Sequence, residues 1–203
     1  MSRQERPRSP AQTAPDGRLL RTERSRAKMV KAFFDLVGEG IVHPTAQQVA
    51  ERADVGIRTV FRHFSDMDTL FAEVDAMLRE QVGSAFLECA SEGSLIERAT
   101  TLVRRRAAVF ESLAPYLRAT RIYRQRSGYL DHQYTVFVKQ QRSLLLAQLP
   151  ELEQAPRDLA DAIEVATSFE VWDRLRADQR LGAARAMAAV ERAVCVLVAE
   201  LAR

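Results

Sequence analysis

Residues 45–64 read TAQQVAERADVGIRTVFRHF, and the fold turns on how this stretch divides. Thr45 followed by Gln48 has the form of a capping box. Ala46, Val49, Ala50 and Ala53 then fall at i, i+3, i+4 and i+7, so a helix of about two turns runs to Ala53. Asp54 tolerates the left-handed backbone that a tight interhelical turn requires, and Gly56 caps the next helix at little cost. On that third helix Ile57, Val60, Phe61 and Phe64 repeat the helical spacing, which leaves Arg58, Thr59, Arg62 and His63 around the opposite side. Two short helices joined by a turn, the second apolar inside and basic outside, form a helix-turn-helix. Its outer side chains suit a DNA major groove: Arg grips guanine bidentately, Thr meets bases or phosphate, and His donates to phosphate. Ile57 fits either a core position or a contact with a thymine methyl.

Charge supports the same end of the chain. Residues 1–64 hold 12 Lys and Arg against 7 Asp and Glu, whereas residues 65–203 hold 18 against 20. This asymmetry implies an anionic partner for the front third. Within it, residues 1–17 combine Arg3, Arg6 and Arg8 with Pro7, Pro10, Pro15 and Gly17, and read as a disordered basic arm. No apolar run suits a signal peptide or a membrane span, so the expectation is a cytoplasmic protein without a membrane partner. Cys89 and Cys195 are too few for a disulfide framework and lack a ligand cluster; both read as buried thiols, with no metal site.

The remainder reads as helix, with no convincing strand. Residues 18–37 carry Met29, Ala32, Phe33 and Leu36 at helical spacing, and Gly38 and Gly40 supply the stop. Ser65 with Asp68 has the capping-box form for a fourth helix whose apolar face is Leu70, Phe71, Val74, Met77 and Leu78. Ser94 with Glu97 repeats the device for a fifth helix running toward Phe110. Pro115 suits the first turn of a sixth, and Gly128 and Pro150 bracket a seventh. Pro156 opens an eighth with Ala162, Val165, Phe169, Trp172 and Leu175 on one stripe, and a ninth starts near Ala183. The run of Arg104, Arg105 and Arg106 reads as a solvated face.

The segment from the first helix to Leu70, through MVKAFFDLVGEG and TAQQVAERADVGIRTVFRHFSDMDTL, resembles the amino-terminal domain of the TetR (tetracycline repressor) family of transcriptional regulators. The resemblance implies an all-α protein of about nine helices. Residues 18–64 would be the helix-turn-helix DNA-binding domain and residues 65–203 a helical effector-binding and dimerisation domain. It implies a repressor that leaves a palindromic double-stranded DNA operator when a small-molecule effector binds. Thr45 then matches a residue that caps the second helix and touches the DNA backbone, and Arg58, Thr59, Arg62 and His63 match recognition-helix positions. Three residues depart from the pattern. Gly56 replaces the usual Ser, Phe61 stands where Tyr is common, and Met67 stands where Lys often grips phosphate; each removes a backbone contact.

Helix nine alternates Ala183, Met187, Val190, Val194, Leu197 and Leu201, with small Ala186, Ala189 and Ala193 beside them. Such a terminal helix packs on its own core; by resemblance it also looks like a homodimer face, for which Met187, Val190, Val194, Leu197 and Leu201 are the candidates. Candidate effector-pocket residues are Tyr116, Arg121, Tyr123, Tyr134, Phe137, Phe169 and Trp172, aromatic walls with one cation to orient an anion. Tyr129 and His132 belong to the same aromatic inventory.

Two rival classes remain. An enzyme lacks support: the chain has only His43, His63 and His132, and it shows no G-x-S-x-G, H-E-x-x-H, G-x-G-x-x-G or P-loop, so no catalytic residue or cofactor is expected. Residues 25–28 spell S-x-x-K without its partner motifs. A helical protein-binding adaptor fits the later two thirds but leaves the basic outer face of helix three without a purpose.

Overall fold

Thr45 Oγ1 accepts from the Gln48 backbone N–H at 3.2 Å and Gln48 Oε1 accepts from the Thr45 N–H at 2.8 Å, closing the capping box that starts the second helix. Its far end stops at Asp54, which sits in the left-handed region at φ 55° with its N–H turned back to Ala50 and Glu51. The first helix ends by a related device: Gly40, at φ 90°, and Ile41 return their N–H groups to Val37 and Leu36. A side chain at Gly40 would strain that turn.

The computed structural model describes residues 17–87 and 92–202, with side-chain surroundings for 21–78 and 92–201. Among these the elements are α1 Gly17–Gly38, α2 Ala46–Ala53, α3 Ile57–His63, α4 Met67–Leu87, α5 Leu95–Tyr123 and α6 Gly128–Gln148. A 3-10 turn at Pro150–Glu153 leads to α7 Arg157–Ala166, α8 Phe169–Asp173, a π-helical segment Arg174–Asp178, and α9 Ala183–Val198, which ends in a 3-10 turn. The described chain is all helical. The expected basic arm, bar Gly17, and Cys89 lie outside the described residues; Cys195 is half-buried rather than buried.

Helices α1 to α3 pack around Met29, Phe33, Val49, Val60 and Phe64, and α4 closes them with Leu70, Phe71 and Val74. The same α4 lies against α5 and α6, so one continuous core runs from the first helix to the last. α5 is its axis, in contact with α1, α4, α6, α8 and α9.

Several local expectations are corrected. Asp66, not Ser65, caps α4: its Oδ1 accepts from the Thr69 N–H at 2.7 Å, while the Ser65 hydroxyl bonds Asp66 and Thr69. Pro115 does not open a helix but lies inside α5. A proline in a helix interior costs about 3 kcal/mol; buried Phe110 before it and Tyr116, Leu117, Ala119 and Thr120 after it hold the helix through. The predicted eighth helix is instead broken at Thr167 and Ser168, where Ser168 caps α8. Its stripe divides too: Phe169 and Trp172 are buried, but Ala162 and Val165 face outward, and Ala160 and Ile163 are the inward pair. The fused fifth helix and the divided eighth cancel in the count.

Arg106 is not on a solvated face. It is 2% exposed, with Nη1 donating to the Thr167 carbonyl and hydroxyl at 3.2 and 2.6 Å and Nη2 donating to the Gln141 carbonyl at 2.6 Å. Its neighbour Arg104 fits the expectation, pairing at the surface with Glu191 of α9.

Candidate nucleic-acid interface

Helix α3 presents its side chains as four adjacent i, i+4 rows. Val60 and Phe64, each 1% exposed, form the inward row and anchor the helix on α1 and α2. Thr59 and His63 are half-buried along one flank. Arg58 and Arg62 stand on the open side, exposed, and neither makes an ion pair among the described residues. The remaining row departs from expectation: Ile57 is 39% and Phe61 53% exposed, so neither is core. A short helix held by two anchors lacks the width to bury a third row. The outward surface therefore sets two apolar groups beside two unpaired guanidiniums, a combination suited to thymine methyls next to guanine edges or phosphates.

The surroundings leave that face positive. Two other cations of these helices are neutralised locally: Arg52 pairs bidentately with Glu39 at 2.8 and 2.6 Å, and Lys31 pairs with Asp35 at 2.7 Å. Arg26 donates to Glu73 of α4 at 2.7 Å and lies over the Phe64 ring at 5.6 Å, tying α1, α3 and α4 together. Burial, then Arg62 and Arg26, hold the His63 imidazole below its ordinary range. It is thus neutral at pH 7 and still carries one N–H to donate.

The Thr45 side chain is exposed at the start of α2, its hydroxyl donating to Gln48 Oε1 at 3.1 Å, a bond that a phosphate oxygen can replace. Gly56 occupies the N-cap of α3 with no side-chain hydrogen bond, and a Cβ added there would meet nothing within 4 Å. The missing hydroxyl thus reflects composition and not crowding. Met67 is half-buried against the core, consistent with packing in place of a phosphate grip.

The remaining candidates scatter. Tyr116 and Tyr123 stack on Phe71 at 5.3 and 4.7 Å, and the Tyr116 hydroxyl donates to buried Asp75 at 2.7 Å. Tyr134 donates to Glu170 beneath the Arg124 guanidinium, 6.2 Å from Phe137. Phe169 meets Phe110 at 5.5 Å, and Trp172 Nε1 donates to Glu111 at 2.9 Å. Arg121 is turned to the surface, 3.5 Å from Asp173, and orients nothing inside. Trp172, with Phe110, Val103 and Arg106, borders a cavity of about 10 Å³ at the α7–α8 joint. Arg106 is the buried cation that sequence reasoning missed; its place in an arginine run concealed that one residue of the three turns inward. On α9, Val190 and Val194 are buried within the subunit and cannot meet a second copy; Met187, Leu197 and Leu201 are half-buried.

A compact helix-turn-helix with an exposed, unpaired basic face defines a DNA-binding protein. Residues 39–74 match the model of the bacterial regulatory proteins, tetR family. The fold of the whole chain is similar to the crystal structure of a transcriptional regulator from Rhodococcus sp. Rha1, at 19% identity and a TM-score of 0.66, over 88% of this chain and 96% of that one. None of the curated proteins matches. The helix-turn-helix of residues 39–74 is thus similar to that of the tetR-family DNA-binding regulators, and beyond it the likeness is one of fold. No helix among the described residues is long and apolar enough to cross a membrane.

Proposed function

We propose that the protein is a cytoplasmic, homodimeric repressor that reads a palindromic operator through α3, releases it when a small molecule enters the helical body, and acts by binding alone. In this reading residues 18–64 are the reader and residues 65–203 the effector and dimer part. The observation that carries it is the outward face of α3, where Arg58 and Arg62 stand unpaired beside exposed Ile57 and Phe61. Thr45, Gly56, Thr59 and His63 complete the contact set, the last three flanking the groove-facing rows. In a gel shift against the DNA flanking the gene, Arg58→Ala is expected to weaken the selected operator by about 1–3 kcal/mol and relax preference at one base pair. Binding as tight as the parent's would remove the base-reading role.

The dimer reading is supported by apolar stripes left outward on two neighbouring helices. Val165 on α7 and Val196 on α9 are each 62% exposed, with Ala162, Ala189 and Ala193 outward near them. Small outward residues let a second helix pair approach closely, and two-fold symmetry matches a palindrome. Val196→Glu is expected to leave the subunit folded, with an unchanged circular dichroism spectrum, and to sediment as a monomer. A folded variant that remains dimeric would exclude this face.

A further inference from the structure

Arg106 is a cation without a counter-ion. All its hydrogen-bond acceptors are neutral oxygens, of Thr167 and Gln141, and no carboxylate lies within ion-pair distance of it among the described residues. Glu164 acts on it only from a distance and is itself held by Arg142 at 2.5 Å. Burial pushes the guanidinium down to about 10, so it stays protonated at neutral pH. A buried charge with no opposite partner is a costly arrangement for a fold to retain. Gln141, whose backbone carbonyl is one of those acceptors, also has a buried side-chain oxygen, Oε1, with no hydrogen-bond partner, although it does not border the cavity described next.

Arg106 also borders the cavity at the α7–α8 joint, whose other walls are largely apolar: Val103, Ala107, Phe110, Ala166, Trp172 and Val190. At about 10 Å³ it has room for one water-sized body. Its outer wall is the break in the helical run, Thr167 and Ser168, with Thr167 at φ −102° and ψ 9°. Arg106 ties that break to α5 through its two bonds to Thr167.

We infer that this cavity is the effector site and that its ligand is a small organic carboxylate, with the carboxylate on Arg106 and the apolar body against Phe110 and Trp172. The inference rests on the effector reading above and adds the ligand's chemical class. A carboxylate competes for the Arg106 donors with neutral oxygens, and charge-assisted bonds are roughly twice as strong as neutral ones. Taking those donors frees Thr167 from α5, and the joint parts to admit the apolar body. Movement of the joint carries α8, which is fixed to α5 by Trp172 on Glu111 and Asp173 on Arg118.

Trp172 is the single tryptophan and lines the cavity, so its fluorescence reports occupancy directly. The full-length protein is titrated with hexanoate and benzoate and with their uncharged amides, while operator binding is followed in parallel. Hexanoate or benzoate is expected to change Trp172 emission saturably, at least about tenfold more tightly than the matching amide. Arg106→Met is expected to melt lower than the parent, because it leaves the buried Thr167 and Gln141 carbonyls without their donor, and, where folded, to lose the preference for acid over amide. No saturable response to either acid, or equal response to acid and amide, would overturn the inference, as would an unchanged preference in a folded Arg106→Met. If that variant does not fold, the parent's acid-to-amide ratio decides. Tight acid binding with unaltered operator affinity would keep the anion site and remove the effector reading. Operator release by the amides as effectively as by the acids would do the reverse.

Discussion

Val194→Glu is expected to unfold the subunit, not to separate two subunits. Val194 is 0% exposed in the row Ala186, Val190, Val194 and Val198, which α9 packs against its own chain, chiefly α5. No basic side chain is hydrogen-bonded or ion-paired within that row to receive a carboxylate. An uncompensated buried charge costs several kcal/mol, against a total stability of about 5–15 kcal/mol for an ordinary domain. Circular dichroism should show loss of the cooperative melt or a midpoint lowered by more than 10 °C, on the order of 2–4 °C per kcal/mol for a chain of this size. Val196→Glu, two residues away on the outward side, should leave the midpoint nearly untouched. A Val194→Glu protein that melts within a few degrees of the parent would mean that α9 is not seated as described.

Phe71→Ala is expected to cost about 3–5 kcal/mol, the usual range for removing a fully buried aromatic ring. Phe71 is 0% exposed and meets Phe33 edge-on at 5.3 Å, Tyr116 at 5.3 Å and Tyr123 at 4.7 Å. Those three rings come from α1 and from the distal half of α5, so the ring is the keystone between reader and body. Tyr123 also stacks on His43 at 4.3 Å, in the loop before α2. Because both halves lean on one side chain, urea unfolding of the variant should remain a single transition at a lower midpoint. A loss below about 1 kcal/mol, or two separated transitions, would contradict the shared core.

Legibility in the sequence followed the strength of local rules. The Thr45 and Ser94 capping boxes, the left-handed Asp54 and the Gly40 stop are each specified by a few adjacent residues, and all are present. The inward faces of α1 and α4 were legible because each helix has a single apolar stripe. α9 has apolar residues nearly all round, so spacing could not say which row faces its own core, and the inward row includes Val190 and Val194. Ile57 and Phe61 obey the helical period of the core row next to them; only the narrowness of the surface beneath α3 leaves them out. Pro115 has the local look of a helix start, but burial on both sides outweighs the lost hydrogen bond. Arg106 was hidden for the converse reason. Its acceptors, Gln141 and Thr167, are 35 and 61 residues distant in sequence, beyond the reach of any local pattern.

Only Phe64, Ser65 and Asp66 separate the recognition helix from the 21 residues of α4. A helix of that length spans about 31 Å, and Phe71 pins it near the reader end. Geometry then makes α4 a lever with a short arm and a long one. Tilting it by about 5° moves its far end by about 3 Å over that length. Conversely, a displacement of a few ångströms where α4 meets the body reaches the reader mainly as rotation. In the proposed dimer two such rotations add with opposite sense across the two-fold axis, and the recognition helices must stay about 34–36 Å apart to enter successive major grooves. Repression would then be set by an angle: the side chains that read bases could keep every local bond they have and still be carried out of register with the DNA.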